Sequence, residues 1–426
     1  MKVLVVGNGG REHALAWKLL QSQRIKQVIF IPGNGGTATT KGCQNFPIRV
    51  DDFEGIARFV LVNGISLVVV GPELPLAVGI TDYLQQEDIM VFGPTKEGAQ
   101  IESSKNWAKK LMQSAGVPTA SFATFTEVEP AKAYLQAQGA PIVVKADGLA
   151  AGKGVTVAAT VEEAQLAVES LFQKGFGTVI IEEYLTGQEV SVLALTDGVS
   201  IRSLLPAQDH KPIGEGDTGE NTGGMGAYAP AQIVNQALMT RIEEEILQPV
   251  VQALQDRDID YRGVLYAGLM ITPAGDPIVL EFNCRFGDPE TQAILPLLET
   301  PLEDLLFACT KQTLSQLPPI VWKPGAAACV IAAAEGYPGS YQKGKVITGI
   351  EQAQELEAAV FFAGTRLVQQ QLVTDGGRVL GVTATGDTLD EAIAQAYAAM
   401  DCIKFEGIYY RKDIGNRLRQ ADSLSG

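Results

Sequence analysis

Apolar positions in the first hundred residues fall in short unbroken runs, Val3 to Val6, Val28 to Ile31, Leu67 to Val70 and Ile89 to Phe92, separated by amphipathic stretches. A strand covered by helices on both sides needs no polar face, so runs of four bounded by turn residues predict buried parallel strands. Residues 1–102 are therefore expected to form a doubly wound α/β domain. Glycine or proline follows each run, in "GNGG", "PGNGG", "GPE" and "GP". Open α/β sheets bind ligands beyond the carboxyl ends of their strands, so a pocket lined by Asn8, Gly9, Gly10, Gly33, Pro72, Glu73 and Pro94 is expected there.

The pattern changes near Ser103, which is predicted to cap a helix carrying Ala108, Leu111, Met112 and Ala115 on its apolar face and closing at Gly116 and Pro118. Lys105 falls in its first turn, where a cation opposes the helix dipole, so a negative group is expected nearby. The strand-like runs "PIVVK" and "TVIIEEYL" flank a helical stretch from about 161 to 172. Residues 209–230 are polar and glycine-rich, and predict a long functional loop without regular structure. A helix from about 236 to 255 precedes two strands joined at "PAGD". Beyond about residue 325, the strands "AACVIAAA" and "RVLGVTATG" precede a helix opened by a capping box, Thr388 to Glu391, with Ile393, Ala396, Tyr397 and Met400 on one face.

A chain of 426 residues is long enough for about three domains. Its net charge of -16 disfavours nucleic acid or an anionic membrane as partner, because phosphate polymers repel such a surface. Any phosphate it handles should be small. Cys43, Cys284, Cys309, Cys329 and Cys402 are scattered, odd in number and lack C-x-x-C spacing, as expected of reduced thiols in the cytoplasm. The N-terminal apolar run is too short for a signal peptide, and no stretch reaches transmembrane length.

Four stretches carry candidate chemistry. "VVKADGLAAGKGV", residues 143–155, is not a P-loop: only Leu149, Ala150 and Ala151 separate Gly148 from Gly152, and Gly154 follows Lys153 where a hydroxyl would hold Mg²⁺. Its glycines still let backbone N–H groups approach an anion, with charge from Lys145 and Lys153. A solvated surface hairpin is the competing reading. "GNGGRE" has Glu12 where a dinucleotide fingerprint has glycine, so NAD is disfavoured, while a strand, glycine turn and helix N-terminus suit a monophosphate. His13 either touches that anion or packs against the sheet.

In "LEFNCRFGDPE" the strand alternation puts Glu281, Asn283 and Arg285 on one side and Phe282 and Cys284 on the other. Glu281 and Asn283 offer the hard oxygens Mg²⁺ takes when phosphate completes its shell, and Arg285 can clamp a carboxylate or phosphate. A structural ion-pair cluster is the alternative. In "IIEEYLTGQEVS", Glu182 and Glu183 end a strand, Tyr184 and Leu185 can offer backbone to an adenine edge, and Glu189 can accept from ribose hydroxyls.

These motifs, together with "GPELPLAVGI", "SSKNWAKKLM", "QDHK", "GDTGENTGGMGAY", "YRGVLYAGLM" and "IYYRKDIG", occur in an order that resembles the phosphoribosylamine-glycine ligase (glycinamide ribonucleotide synthetase) family of the ATP-grasp superfamily, over essentially the whole chain. The resemblance implies a biotin-carboxylase-like domain over 1–102, an ATP-grasp α+β domain over 103–324 with a small lid at about 118–190, and a C-terminal α/β domain over 325–426. It implies that ATP, glycine and 5-phosphoribosylamine give glycinamide ribonucleotide, ADP and phosphate through glycyl phosphate; a monomer with no nucleic-acid or membrane partner is expected.

By position it assigns Lys105, Lys145, Gly148, Gly152, Lys153 and Gly154 to the ATP phosphates, and Glu182, Tyr184, Leu185 and Glu189 to the nucleoside. Glu281 and Asn283 would hold Mg²⁺, or Mn²⁺ in its place. Asp209 and Arg285 would take glycine, acting with Lys145 in catalysis, and Asn8, Gly9, Gly10 and Glu73 the ribose phosphate end. The strand "VLYAGLMIT" lacks the acidic ligand many ATP-grasp enzymes carry there; Pro212 stands where the family usually has Arg, and Glu220 where it usually has Pro. The competing assignment is another ATP-grasp carboxylate-amine ligase or a carboxylase of nucleotide metabolism.

Overall fold

The computed structural model describes residues 1–149 and 154–416. Its first sheet is parallel throughout, in the order Cys43–Asn45, Gln27–Pro32, Lys2–Gly7, Leu67–Val70, Val91–Phe92. The unbroken apolar runs have the expected cause. Leu4 and Val6 enter one hydrophobic core while Val3 and Val5 enter another, so both faces of the strand are covered. The edge strand Cys43–Asn45 escapes the pattern because it is short, polar and not fully buried.

Two four-stranded antiparallel sheets follow. One runs Phe122–Phe125, Val179–Glu183, Ile142–Ala146, Val155–Ala158, and the helices Val128–Gln138 and Val161–Gln173 close a small separate core around Leu135, Val144, Val168 and Ile181. The other runs Ile201–Ser203, Gln188–Thr196, Gly263–Ile271, Pro277–Asn283. The helix Lys105–Ala115 is capped by Ser104 rather than Ser103: the Ser104 hydroxyl accepts from the Trp107 amide, and Ser103 instead ends the preceding short helix Gln100–Ser103. Gly116 closes it at φ 69°.

The C-terminal sheet is ordered Gln208–Asp209, Gly226–Ala229, Ala326–Ala334, Arg378–Gly386, Ala359–Phe362. Residues 209–230 are thus not the irregular loop their composition predicts. They supply two strands to this sheet and form the hairpin Pro212–Gly214 with Thr218–Asn221. The pairing partner lies a hundred residues downstream, so local composition could not reveal it. The helix foreseen from 236 to 255 is broken into Gln236–Ile242 and Gln248–Gln255 by a π turn, Glu243–Leu247. Pro249 has no N–H to donate and its ring crowds the carbonyl four residues back, which a widened turn accommodates. The capping box at Thr388 and Glu391 is present, and Ile393, Ala396 and Met400 are buried behind it.

Candidate active site

Lys145, on the strand Ile142–Ala146, donates to Glu182 Oε2 at 2.9 Å and to the Leu280 carbonyl at 3.2 Å, so a lid lysine touches the facing sheet. Glu182 is not a solvated carboxylate: it is 2% exposed and also pairs with Lys109 at 3.1 Å. Lys105 Nζ donates to the Gly148 carbonyl at 3.2 Å. The negative group expected at the start of its helix is Asp147, which accepts from the Ser104 hydroxyl and the Asn106 amide. Gly148 has φ 120° and open space where a side chain would be, and the Gly154 carbonyl accepts from the Ala146 amide. Gly152 and Lys153 lie outside the described residues. Tyr184 is exposed, and Leu185 and Glu189 are half-buried; Glu189 pairs with Lys211 at 3.2 Å.

On the facing strand Pro277–Asn283, the alternation read from the sequence holds. Phe282 and Cys284 are buried in the core, while Glu281, Asn283 and Arg285 share the site. Burial alone would raise the Glu281 pKa, but Lys211, then Lys105, Lys145 and Arg285, outweigh it and hold the carboxyl below its usual range. Lys211 in turn is kept charged against burial by Glu189, Asp209 and Glu281, well above the usual ammonium range. The register sets Gly268 opposite Glu281 and Tyr266 opposite Asn283, and the Tyr266 and Ser191 hydroxyls both donate to the buried Glu290 carboxylate. Asp209 is 7% exposed and, contrary to its expected loop position, lies on the strand Gln208–Asp209 opposite Ala227.

Arg285 is held between two carboxylates, Glu102 at 2.8 Å and Glu73 at 3.4 Å, and donates to Asn283 Oδ1 at 3.0 Å. Glu281 and Asn283 supply a carboxylate and an amide oxygen beside four cationic side chains. Among the described residues no group of three or more His, Cys, Asp and Glu side chains could hold a metal by itself. Two hard oxygens fit an Mg²⁺-like ion whose remaining positions go to phosphate and water.

A pocket of about 480 Å³ opens between the first domain and the C-terminal one, lined by Asn8, Gly9, Asn34, Gly364, Thr365 and Arg366 among others. Gly33 lines it too, whereas Gly10, Pro72, Glu73 and Pro94 do not. The helix Gly10–Leu19 already has an anion at its start, because the Gly9 amide donates to Glu12 Oε2 at 2.6 Å. His13 packs rather than facing this pocket; its Nδ1 accepts from the Phe362 amide and its Nε2 meets Thr40.

Lys109, Lys211, Glu102 and Arg411 escaped the reading of individual site residues. Lys109 stands one helical turn after Lys105, so helix periodicity could have flagged it, whereas Lys211 lies two residues beyond Asp209, past the end of the strand. The departures at Pro212 and Glu220 fall in the hairpin. Pro212 offers its carbonyl to Arg411 at 3.0 Å, and Glu220 is exposed.

A lid sheet bearing Lys145 and Glu182, closed over a sheet that ends in Glu281, Asn283 and Arg285, defines an ATP-grasp protein. Profiles of phosphoribosylglycinamide synthetase match residues 1–102 (N domain), 103–291 (ATP-grasp domain) and 327–417 (C domain). The chain belongs to this family, and it is an enzyme of the phosphoribosylamine-glycine ligase type.

It is similar to the phosphoribosylamine-glycine ligase of Nostoc sp., with 68% identity over 423 residues covering 98% of this chain and 100% of that protein. The crystal structure of the ligase from Thermotoga maritima superposes with TM-score 0.84 at 34% identity, covering 97% of this chain and 100% of that one. The biotin carboxylase domain of Hydrogenobacter thermophilus 2-oxoglutarate carboxylase shares the fold alone, at TM-score 0.71 and 17% identity over 96% of this chain and 91% of that one. Among the described residues no helix is long and apolar enough to cross a membrane.

Proposed function

We propose that this protein joins glycine to 5-phosphoribosylamine at the expense of ATP, giving glycinamide ribonucleotide, ADP and phosphate in de novo purine biosynthesis. The carrying observation is the convergence of Lys105, Lys145, Lys211 and Arg285 on Glu281, with Asp209 among the charges that face Lys211. That cluster can neutralise a triphosphate while leaving a guanidinium for a carboxylate and a carboxylate for an ammonium.

In this reading Lys105, Lys145 and the loop from Gly148 through Gly152 and Lys153 to Gly154 hold the ATP phosphates. The segment Glu182, Tyr184, Leu185 and Glu189 holds the nucleoside. Glu281 and Asn283 hold Mg²⁺ or Mn²⁺, which when bound offsets charge on the phosphate oxygens. A glycine carboxylate oxygen, oriented by Arg285 with the ammonium on Asp209, attacks the γ-phosphorus. ADP leaves and glycyl phosphate forms. The amine of phosphoribosylamine then attacks the carbonyl carbon, loses a proton and expels phosphate. Neither step needs a covalent enzyme nucleophile.

Asn8, Gly9, Gly10 and Glu73 take the ribose phosphate end; Arg366 of the C-terminal domain lines the same pocket as Asn8 and Gly9, and Glu73 stands outside its lining, paired with Arg285. The lid at about 118–190 closes over the rest of the ATP-grasp domain, which spans 103–324, and the chain works as a cytoplasmic monomer on small molecules only.

The test is ADP release by the purified protein. It should depend on glycine and be seen only when ribose 5-phosphate and ammonia are also supplied to generate the amine; release indifferent to glycine rejects the assignment. Glu281→Ala should lower turnover by on the order of a thousandfold without unfolding the protein. Near-normal rates at saturating Mg²⁺ would remove Glu281 from the metal shell.

A further inference from the structure

The reaction described above leaves Lys109 without a role, yet its surroundings are unusual. The side chain is 2% exposed and lies on the same face of the helix Lys105–Ala115 as Lys105, one turn further on. Its Nζ donates to Thr119 Oγ1 at 2.8 Å and the Ala120 carbonyl at 3.4 Å, stands 5.5 Å from the Phe122 ring centre, and pairs with Glu182 Oε2 at 3.1 Å. Thr119 is itself tied to the facing sheet through the Val279 carbonyl at 2.8 Å. Burial pushes the Lys109 ammonium down to about 8, so its charge is retained at a cost that Glu182 offsets in part.

Glu182 Oε2 therefore receives two ammonium groups, Lys109 and Lys145, while its other oxygen is buried with no hydrogen-bond partner among the described residues. A carboxylate paired with Lys145 alone would cancel that lysine's charge. With both lysines the cluster carries a net charge of about +1. Among the described residues Lys145 spends one N–H on Glu182 and one on the Leu280 carbonyl, which leaves the third of an ammonium's donors.

We propose that Lys109 is a positioning residue for the nucleotide: it neutralises Glu182, so that Lys145 keeps its charge and one N–H for the ATP phosphates. This rests on the assignment of Lys145 to those phosphates. Binding of MgADP to the full-length protein, measured by calorimetry, separates the two.

Lys109→Met should weaken MgADP about tenfold and raise the KM for ATP alike, leaving the KM for glycine unchanged. In a Glu182→Gln background the same change should cost almost nothing, because an amide needs no counter-ion. Wild-type affinity in Lys109→Met, or equal losses in both backgrounds, overturns the proposal. Should Lys109→Met fail to fold, the double variant decides: MgADP affinity equal to that of Glu182→Gln alone supports the proposal, and a further tenfold loss overturns it. Unchanged MgADP affinity in Lys145→Met would instead reject the underlying phosphate assignment, and the proposal with it.

Discussion

Arg285 shows how much of a functional side chain's behaviour is set by neighbours far away in sequence. Burial disfavours its charge, but Glu102 first and Glu73 second hold the guanidinium well above even the usual arginine range. Glu102 is itself pushed up by burial in spite of Arg285, and it accepts from the Cys284 amide at 2.8 Å. Each group therefore depends on the other, and removing one leaves the other buried and poorly compensated. Glu102→Gln keeps an acceptor for Cys284 but loses the charge that aims Arg285. It should raise the KM for glycine and lower kcat by about tenfold while the KM for ATP stays put, as steady-state kinetics would show. A uniform loss in all three would mean that Glu102 serves the fold only. Glu281, Asn283 and Arg285 were legible because strand geometry brings every second residue to one face. The clamp on Arg285 was not, since Glu102 lies 182 residues from the amide it holds and no periodicity spans that gap.

At the scale of the elements, the hairpin Pro212–Gly214 with Thr218–Asn221 is held by its own pairing and also from outside. Its turn residues are exposed, and the C-terminal segment braces it. Arg411, fully buried, donates to the Pro212 carbonyl and Asp217 at 3.0 Å each and pairs with Asp413; the Gly216 amide reaches Asp413 at 2.8 Å, and Tyr409 donates to the Ile213 carbonyl at 2.7 Å. Arg411→Met should loosen the hairpin by ~2–3 kcal/mol. Limited proteolysis would then cut between residues 214 and 218 at protease levels that leave the parent chain intact, and kcat/KM would fall because Asp209 and Lys211 stand at the hairpin's base. Unaltered resistance would show that the hairpin holds itself. The first-domain strands could be read from their apolar runs because both faces are covered, whereas residues 209–230 draw their pairing from Ala326–Ala334 and carry no such mark.

At the scale of the whole molecule, the pocket beside Asn8 and Gly9 exists only while the C-terminal domain is docked on the first. The docking contacts include hydrogen bonds from the Gly35 amide to the Thr365 carbonyl at 2.8 Å, from Asn34 to the Phe362 carbonyl at 2.9 Å and from the Phe362 amide to His13 Nδ1 at 3.0 Å, while Phe361 packs edge-on against Trp17 in a core shared with the first domain. Because Nδ1 accepts, the ring is neutral with its proton on Nε2 toward Thr40. Protonation would set an N–H against the Phe362 N–H, and burial lowers the His13 pKa from 6.5 to about 4. As pH falls below about 6.5 the unfolded chain therefore binds a proton that the folded one refuses. The contribution is whole above that pH and is lost progressively on the way down to about 4, the loss amounting to ~2 kcal/mol at pH 5. Chemical denaturation at pH 7.5 and pH 5 should show this loss in the parent chain. His13→Gln, whose amide oxygen can still accept from Phe362 but does not titrate, should lose about 2 kcal/mol less between the same two conditions. Parallel declines in the two proteins would place the acid sensitivity elsewhere and leave the junction insensitive to pH.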